Sequence, residues 1–337
     1  MESTKPQNPQ ADRTRREQEH VENLIKSFFE RYYMRCLHEE KFEDDHHNEE
    51  EEEQDPETAI SQFILRPFHA QYLTRNLRST GITHFIQGLS HIFILGPIGK
   101  AFDGGQPWMI YWIVHAIDVL DYPPKYLGDE KLLSKCVQLI SLCQSPQGGF
   151  QGGPYQLPNL LPTYAAILSI ISLGSEEGYK MIDREGMYRF LMGRRNPNLK
   201  GSFLVHEKGE CDMRGAYTAI IIADVLNIMT DELKDGVGDY IASLQTYEGG
   251  LGATSHEEAH GGYTFCGFAA LCLLGEAHKV DLHKLTVWAC NRQLPTEGGF
   301  NGRTNKVVDA CYTFWVGALF HLINMATGNQ ISNNGKL

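Results

Sequence analysis

Two apolar patterns alternate along the chain. Stretches such as LLSKCVQLISLCQ (132–144) and LHKLTVWACNRQ (282–293) carry apolar residues at i, i+3, i+4 and i+7, the pattern of a helix with one buried face. Between them run tyrosine-led stretches apolar on several faces: YAAILSIISL, YTAIIIADVL, YTFCGFAALCLL and YTFWVGALFHL, opening at Tyr164, Tyr217, Tyr263 and Tyr312. The first kind predicts outer helices and the second inner ones.

The two kinds are joined by Gly-rich turns at a regular spacing: QGGFQGG (147–153), KGSFLVH (200–206), EGGLGAT (248–254) and EGGFNGR (297–303). Their apolar anchors, Phe150, Phe203, Leu251 and Phe300, are 53, 48 and 49 residues apart. A tyrosine follows after 14 residues in the first two units and after 12 in the last two. A weaker copy, DGGQPWMIYWIVHAIDVL (103–120), precedes them. Repeats of about 50 residues signal an array of supersecondary units. Strand-like alternation is scarce, so the expected fold is all-α, an α–α toroid of about five helix pairs. Segments 19–37 and 60–78 are expected as flanking helices.

Charge alters this picture at one end only. The chain has 337 residues and a formal net charge of −12. Residues 38–57 hold 12 acidic residues and one lysine, leaving 29 basic against 30 acidic elsewhere. The near-neutral remainder argues against nucleic acid as a partner. The acidic run is expected as a solvated linker, its His46–His47 pair at most a weak metal catch. The expected division is an N-terminal helix and acidic linker (1–57), the toroid (58–326) and a polar tail (327–337). Eight cysteines without a CxxC, no apolar signal core at the N-terminus and no long apolar run predict a reduced, cytoplasmic protein without a membrane span.

The candidate chemistry gathers before the inner helices. Asp212 and Arg214 precede Tyr217, His260 precedes Tyr263, and Arg303, Lys306, Asp309 and Cys311 surround Tyr312. Four groups suited to an anion (Arg214, His260, Arg303, Lys306) thus fall at matching places in three consecutive units, where helix N-termini add N–H donors. Taken singly, each is equally an ordinary surface charge. Asp309 and Cys311 read either as a helix cap and a packed thiol or as two ligands of an open zinc site. Trp108, Trp112, Trp315, Tyr217, Tyr263 and Phe265 fall in inner stretches, as core or as the wall of a central funnel. An apolar funnel with a cationic rim suits a long hydrocarbon carrying a diphosphate.

The motifs PWMIYW (107–112), CQSPQGGFQGGPYQLPNLLPTYAA (143–166), GECDMRGAY (209–217), EAHGGYTFCGFAAL (258–271) and EGGFNGRTNKVVDACYTFW (297–315) resemble those of protein farnesyltransferase β subunits, over roughly residues 60–326. The resemblance implies a toroid of about six helix pairs, an obligate α subunit, farnesyl diphosphate as lipid donor and CaaX-terminated proteins as acceptors. It places His260, Arg303, Lys306 and Tyr312 at the diphosphate, with His260, Gly261, Gly262, Tyr263 and Arg303, Thr304, Asn305, Lys306 as the two binding segments. It places Trp108, Trp112, Arg214, Tyr217, Cys266 and Trp315 along the isoprenoid. Asp309 and Cys311 match two of three protein ligands of a zinc ion that holds the acceptor thiolate, with magnesium as an accessory. Trp108 matches the residue that closes the funnel base against a longer lipid, hence farnesyl rather than geranylgeranyl.

Two departures accompany the resemblance. Residues 79–103 differ from the family's connection. The last helix pair, with the third zinc ligand, is expected to be missing, since the only later histidine, His321, lies ten residues past Cys311 along one helix pattern, about 15 Å away. The chain is therefore expected to be truncated relative to the family, with a non-catalytic partner of the α subunit as one alternative and a geranylgeranyltransferase β subunit as another. A carbohydrate-active toroid would require working carboxylates, for which Glu248 and Glu297 are the candidates.

Overall fold

The computed structural model describes Leu73 and residues 103–120, 130–295 and 297–328, all within one unit, Ser61–Leu337. The expectations for 19–37, 38–57, the rest of 60–78, 79–102 and 329–337 lie outside the described residues.

Five inner helical segments follow one another among the described residues: α1 (Gln106–Val119), α3 (Leu160–Leu173), α6 (Met213–Val225), α9 (Gly261–Leu274) and the pair α11 (Cys311–Trp315) and α12 (Gly317–Ala326). Each packs on the next. Outer helices precede the last four: α2 (Glu130–Leu142), α5 (Arg184–Arg194), α8 (Val237–Ser243) and α10 (Leu282–Cys290), with short helices α4 (Glu176–Met181) and α7 (Asp231–Lys234) in the connections. Nine of the 14 residues of α3, and nine of 14 in α9, are buried. Inner helices are therefore apolar nearly all round, while α2 buries one stripe: Leu132, Cys136, Val137, Leu139 and Ile140.

The repeat is a backbone repeat. Each anchor pairs as an isolated antiparallel bridge with the end of its outer helix: Gln144 with Phe150, Arg195 with Phe203, Gln245 with Leu251, Gln293 with Phe300. The glycine two before each anchor has positive φ: Gly148, Gly201, Gly249 and Gly298. A Cβ at Gly148 or Gly201 would lie 2.0 Å from the carbonyl oxygen of Gly186 or Gly236, so the turn touches the outer-helix backbone and only glycine fits. Five residues past each anchor the chain again turns left-handed, at Tyr155, Lys208, His256 and Asn305. Nine residues past each anchor stands an inner-helix cap: Asn159, Asp212, His260 and Asp309. Each accepts a hydrogen bond from the N–H two residues on, at 2.8, 2.8, 3.0 and 3.0 Å.

Neighbouring units are stitched in the same way each time. The first N–H of an inner helix donates to the carbonyl two residues past the next unit's anchor: Gln106 to Gly152, Leu160 to Val205, Met213 to Ala253 and Gly261 to Gly302, at 2.7–3.0 Å. These bonds satisfy helix-start donors and bring the Gly-rich loop of one unit over the inner-helix start of the previous one. Phe150, Phe203 and Leu251 are completely buried; cutting either phenylalanine to alanine is expected to cost about 3–5 kcal/mol. Phe300 is only partly buried, resting on Phe320 at 6.4 Å.

Two sequence expectations change here. The fifth inner helix is interrupted at Val316, between α11 and α12, so YTFWVGALFHL is two helical pieces. The tyrosines are not equivalent either. Counted from the caps, Tyr164 and Tyr217 correspond to Phe265 and Phe314, whereas Tyr263 and Tyr312 lie two positions nearer the helix start.

Candidate functional site

Aromatics in the first two turns of the inner helices form a ladder from unit to unit. Ring centroids are 5.8 Å apart for Trp108–Tyr164, 5.7 Å for Tyr164–Tyr217, 6.0 Å for Tyr217–Phe265, 4.9 Å for Phe265–Phe314 and 5.3 Å for Phe265–Trp315. The hydroxyls of Tyr164 and Tyr217 lie 3.3 Å apart. Burial pushes both phenols well above their ordinary value of 10.0, and burial also pushes the Cys266 thiol up to about 12. This wall is uncharged at neutral pH. Trp108 is half-buried, while Trp112, tilted against it at 5.8 Å, is 53 % exposed. Trp112 therefore stands at the edge of the wall rather than inside it.

Above the wall stand the helix starts. Tyr312 sits flat on glycine: a Cβ on Gly302 would lie 2.0 Å from its Cζ, and one on Gly261 2.9 Å from its Cδ1. Its hydroxyl is 3.0 Å from His260 Nε2. The imidazole caps α9 by accepting from the Gly262 N–H at Nδ1. Nδ1 therefore carries no proton, and Nε2–H donates to the Tyr312 oxygen. The phenol proton is left to point at a further acceptor. Burial, and then the charge of Arg303, hold His260 below its ordinary value of 6.5, which keeps it neutral.

The cations are held differently. Arg214 grips Asp212 through Nε, 3.0 and 3.1 Å from the two carboxylate oxygens, with a second contact at 2.5 Å, and reaches Glu210 at 3.7 Å. Asp212 is buried and also caps α6. Arg303 contacts Glu258 across units. Lys306 is exposed, in a loop closed by Asn301 Nδ2 donating to the Lys306 carbonyl at 3.0 Å. Tyr263 feels Arg214 and Asp212, His260 feels Arg303, and Tyr312 feels Arg303 and Tyr263. Of the sequence-predicted rim residues, Arg214, His260, Tyr263, Arg303 and Tyr312 thus adjoin one another electrostatically. Thr304 faces away from a ligand role: its hydroxyl accepts from Arg292 at 3.1 Å and donates to Glu248 at 2.7 Å. That bond also ties Glu248 into a structural link and removes it as a free carboxylate.

A row of apolar rings beneath helix-start donors and cations can hold a long hydrocarbon with an anionic head. The model of the prenyltransferase alpha-alpha toroid domain matches residues 77–336. The chain belongs to this family. Among its relatives, the protein farnesyltransferase subunit beta of Arabidopsis thaliana is 45 % identical over 248 residues, 74 % of this chain and 49 % of the relative. That of Pisum sativum is 48 % identical over 218 residues, 65 % and 50 %. The chain spans about half the length of these two relatives. Among solved structures, Candida albicans protein geranylgeranyltransferase-I complexed with GGPP superposes with a TM-score of 0.61 at 22 % identity, covering 80 % of each chain, a likeness of fold.

Within this toroid the metal expectation meets a limit. Asp309 occupies the cap position shared with Asn159, Asp212 and His260, and accepts from the Cys311 N–H. Cys311 is exposed; partial burial, then Asp309, raise its thiol above 9.0. No group of three or more His, Cys, Asp or Glu side chains is placed to hold a metal ion among the described residues. Two donors, one already capping a helix, do not make a zinc site by themselves. The described residues likewise contain no helix long and apolar enough to cross a membrane.

Sequence reasoning missed three participants. Gly302 is visible in EGGFNGR only as part of a turn. Glu258 and Arg292 carry no motif of their own.

Proposed function

We propose that this chain acts as the β subunit of a protein farnesyltransferase, paired with a helical α subunit in the cytoplasm. The observation that carries this reading is the His260–Tyr312 contact beside Arg303, at the head of the Trp108–Tyr164–Tyr217–Phe265–Trp315 ladder. Farnesyl diphosphate lies with its isoprene units along the ladder and its diphosphate at the rim. The cysteine thiol of a C-terminal CaaX sequence gives its proton to solvent, its sulfur forms a bond to C1 as the C1–O bond breaks, and inorganic diphosphate leaves with both bonding electrons. The charge that grows on the leaving oxygens is met by Arg303, Lys306 and the Tyr312 O–H, which His260 holds in the donating orientation. Gly261 and Gly262 bring backbone close to the same anion. Arg214, Tyr217 and Cys266 line the hydrocarbon side. The uncharged aromatic faces tolerate positive character on the allylic carbon.

Asp309 and Cys311 are offered as two donors toward zinc, no third donor stands beside them among the described residues, and no step above is derived through the metal. Magnesium has no identified donors on this rim. The incomplete donor set favours a second reading, an α-subunit partner without turnover. Co-expression with an α subunit, followed by farnesyl transfer to a CaaX peptide, decides between them. Turnover that falls on Tyr312→Phe supports the first, and a stable heterodimer that binds farnesyl diphosphate without turnover supports the second. Loss of both binding and turnover overturns the lipid reading.

A further inference from the structure

The loop carrying Arg303 and Lys306 is held by an arrangement that the lipid reading does not use. Arg292, at the end of α10, is 6 % exposed although charged. Its guanidinium lies over the Trp288 ring at 5.2 Å. Nη1 donates to Thr304 Oγ1 at 3.1 Å, and the Thr304 hydroxyl passes the bond on to Glu248 Oε2 at 2.7 Å. Nε is buried and has no hydrogen-bond partner among the described residues. A buried cation with an unmet donor is costly, and stacking on Trp288 needs no hydrogen bond to a neighbouring loop.

The fold supplies a matched comparison. Arg194 occupies the corresponding place in the second repeat. Its carbonyl accepts from Leu204 N as that of Arg292 accepts from Asn301 N, both at 2.8 Å. It too lies over a ring four residues earlier, Phe190, at 5.5 Å, with a buried unmet Nε. Four residues past the anchor, where the fourth repeat has Thr304 between Arg303 and Lys306, the second has Glu207 between His206 and Lys208. The stacked arginine thus recurs in two of the four repeats, the others having Cys143 and Leu244 at this place. Its link to a threonine, and through it to the preceding unit's turn, belongs to the loop that bears the two cations.

We propose that Arg292 is a positioning residue: through Thr304 and Glu248 it fixes the 301–306 loop so that Arg303 and Lys306 face a diphosphate together. The proposal rests on the reading that those two cations hold a diphosphate. The loop is short and internally closed, by Asn301 Nδ2 to the Lys306 carbonyl and Lys306 N–H to the Arg303 carbonyl at 3.3 Å. Asn305 makes its left-handed turn at φ 60°. Thr304 ties its second half to the body of the toroid on two sides, while its first half is held by the Gly261 N–H donating to the Gly302 carbonyl and by Arg303 to Glu258. Without the Thr304 tie the second half, with Lys306, loosens against Arg303 and the two charges lose their common aim.

The test uses the full chain, inorganic pyrophosphate as probe and two readouts, calorimetric affinity and hydrogen exchange at the amides of residues 301–309. Arg292→Met and Thr304→Val are expected to speed exchange there and to weaken pyrophosphate by about tenfold, the scale of one charged hydrogen bond. Arg194→Met removes the matched stacked cation and is expected to leave both readouts as in the wild type. Thr304→Val keeps the guanidinium buried and serves where Arg292→Met fails to fold. Unchanged exchange in Thr304→Val, or an equal loss of affinity in Arg194→Met, overturns the proposal. The underlying reading is tested separately by the double change Arg303→Ala and Lys306→Ala. If pyrophosphate binds that variant as it binds wild type, the diphosphate reading fails and the positioning role with it, while exchange still reports whether Arg292 secures the loop.

Discussion

The Tyr312 hydroxyl lies 3.0 Å from Nε2 of His260, whose Nδ1 accepts the Gly262 N–H at 3.0 Å. One ring thereby caps a helix and orients a phenol in the next unit. Both tasks demand the same neutral tautomer. A second proton on the imidazole would set N–H against N–H at the cap.

The two tasks separate by substitution. His260→Asn supplies a capping oxygen, as Asn159 does at the same position two units earlier, and is expected to hold stability to within ~0.5 kcal/mol. It removes the donor to Tyr312, so pyrophosphate affinity is expected to fall about fivefold. His260→Ala is expected to cost about 1 kcal/mol of cap in addition. Because burial, and then Arg303, depress the His260 pKa below 6.5, the unfolded chain binds the proton more readily. The contribution of His260 is fully present above pH 6.5 and is lost as pH falls below it. Denaturant melts at pH 7.5 and 5.5 should show this decline in wild type and a smaller one in His260→Asn. Parallel declines would remove His260 as the source.

Tyr312 depends on two glycines. Gly302→Ala would place Cβ 2.0 Å from Cζ of the Tyr312 ring, and the backbone of Gly302 is tied to Gly261 at 2.8 Å. The ring must give way, at about 1–3 kcal/mol. Gly317→Ala, at the start of α12 with open space around it, is expected to be neutral or stabilising by up to ~1 kcal/mol. Thermal melts of the two variants compare them directly. Combining Gly302→Ala with Tyr312→Ala should restore most of the loss, because the clash partner is gone.

These contacts mark what was legible in the sequence. The spacing of Phe150, Phe203, Leu251 and Phe300 revealed the repeat, because a left-handed turn demands glycine at one fixed offset in every unit, and in the first three the turn also touches outer-helix backbone. The tyrosines misled by two residues. Their identity recurs, but the backbone keeps register through the caps, and the caps differ in type: Asn159, Asp212, His260 and Asp309. His260 and Tyr312 were legible as neighbours because they stand at the starts of consecutive inner helices, and Arg303 because it lies in the loop before the second. Arg292 was not, since a charged residue closing an amphipathic helix reads as solvated, and its burial depends on Thr304 and Trp288 meeting it in three dimensions.

Asp309 has two roles that respond differently to change. As a cap it needs one acceptor oxygen, which asparagine also has. As a zinc donor it needs charge. Asp309→Asn is therefore expected to melt with wild type at pH 7, and Asp309→Ala lower. The backbone N–H of Cys311, and then its side chain, hold the Asp309 carboxyl below 3.8, so its contribution persists above pH 3.8 and is lost as pH falls below it. Zinc is expected to slow alkylation of the exposed Cys311 thiol in wild type and to have little effect in Asp309→Asn. Equal protection in both would show that Asp309 serves only the helix.

The far end of the ladder sets how much hydrocarbon fits. Trp108 touches Tyr164 at 5.8 Å, Tyr111 at 6.0 Å and Trp112 at 5.8 Å, so among the described residues its indole stands at the end of the row opposite Phe314 and Trp315, with Trp112 at the edge beside it. Trp108→Thr removes that stop without charging the wall. With the chain paired to an α subunit, the ratio of kcat/KM for farnesyl over geranylgeranyl diphosphate is expected to fall by at least about tenfold, because a few methylene groups gained or lost in an apolar pocket are worth that much. A ratio that stays put while Tyr164→Ala or Tyr217→Ala shifts it would move the stop to the middle of the ladder. A stop there fits a lipid lying across the inner helices, with its end short of Trp108.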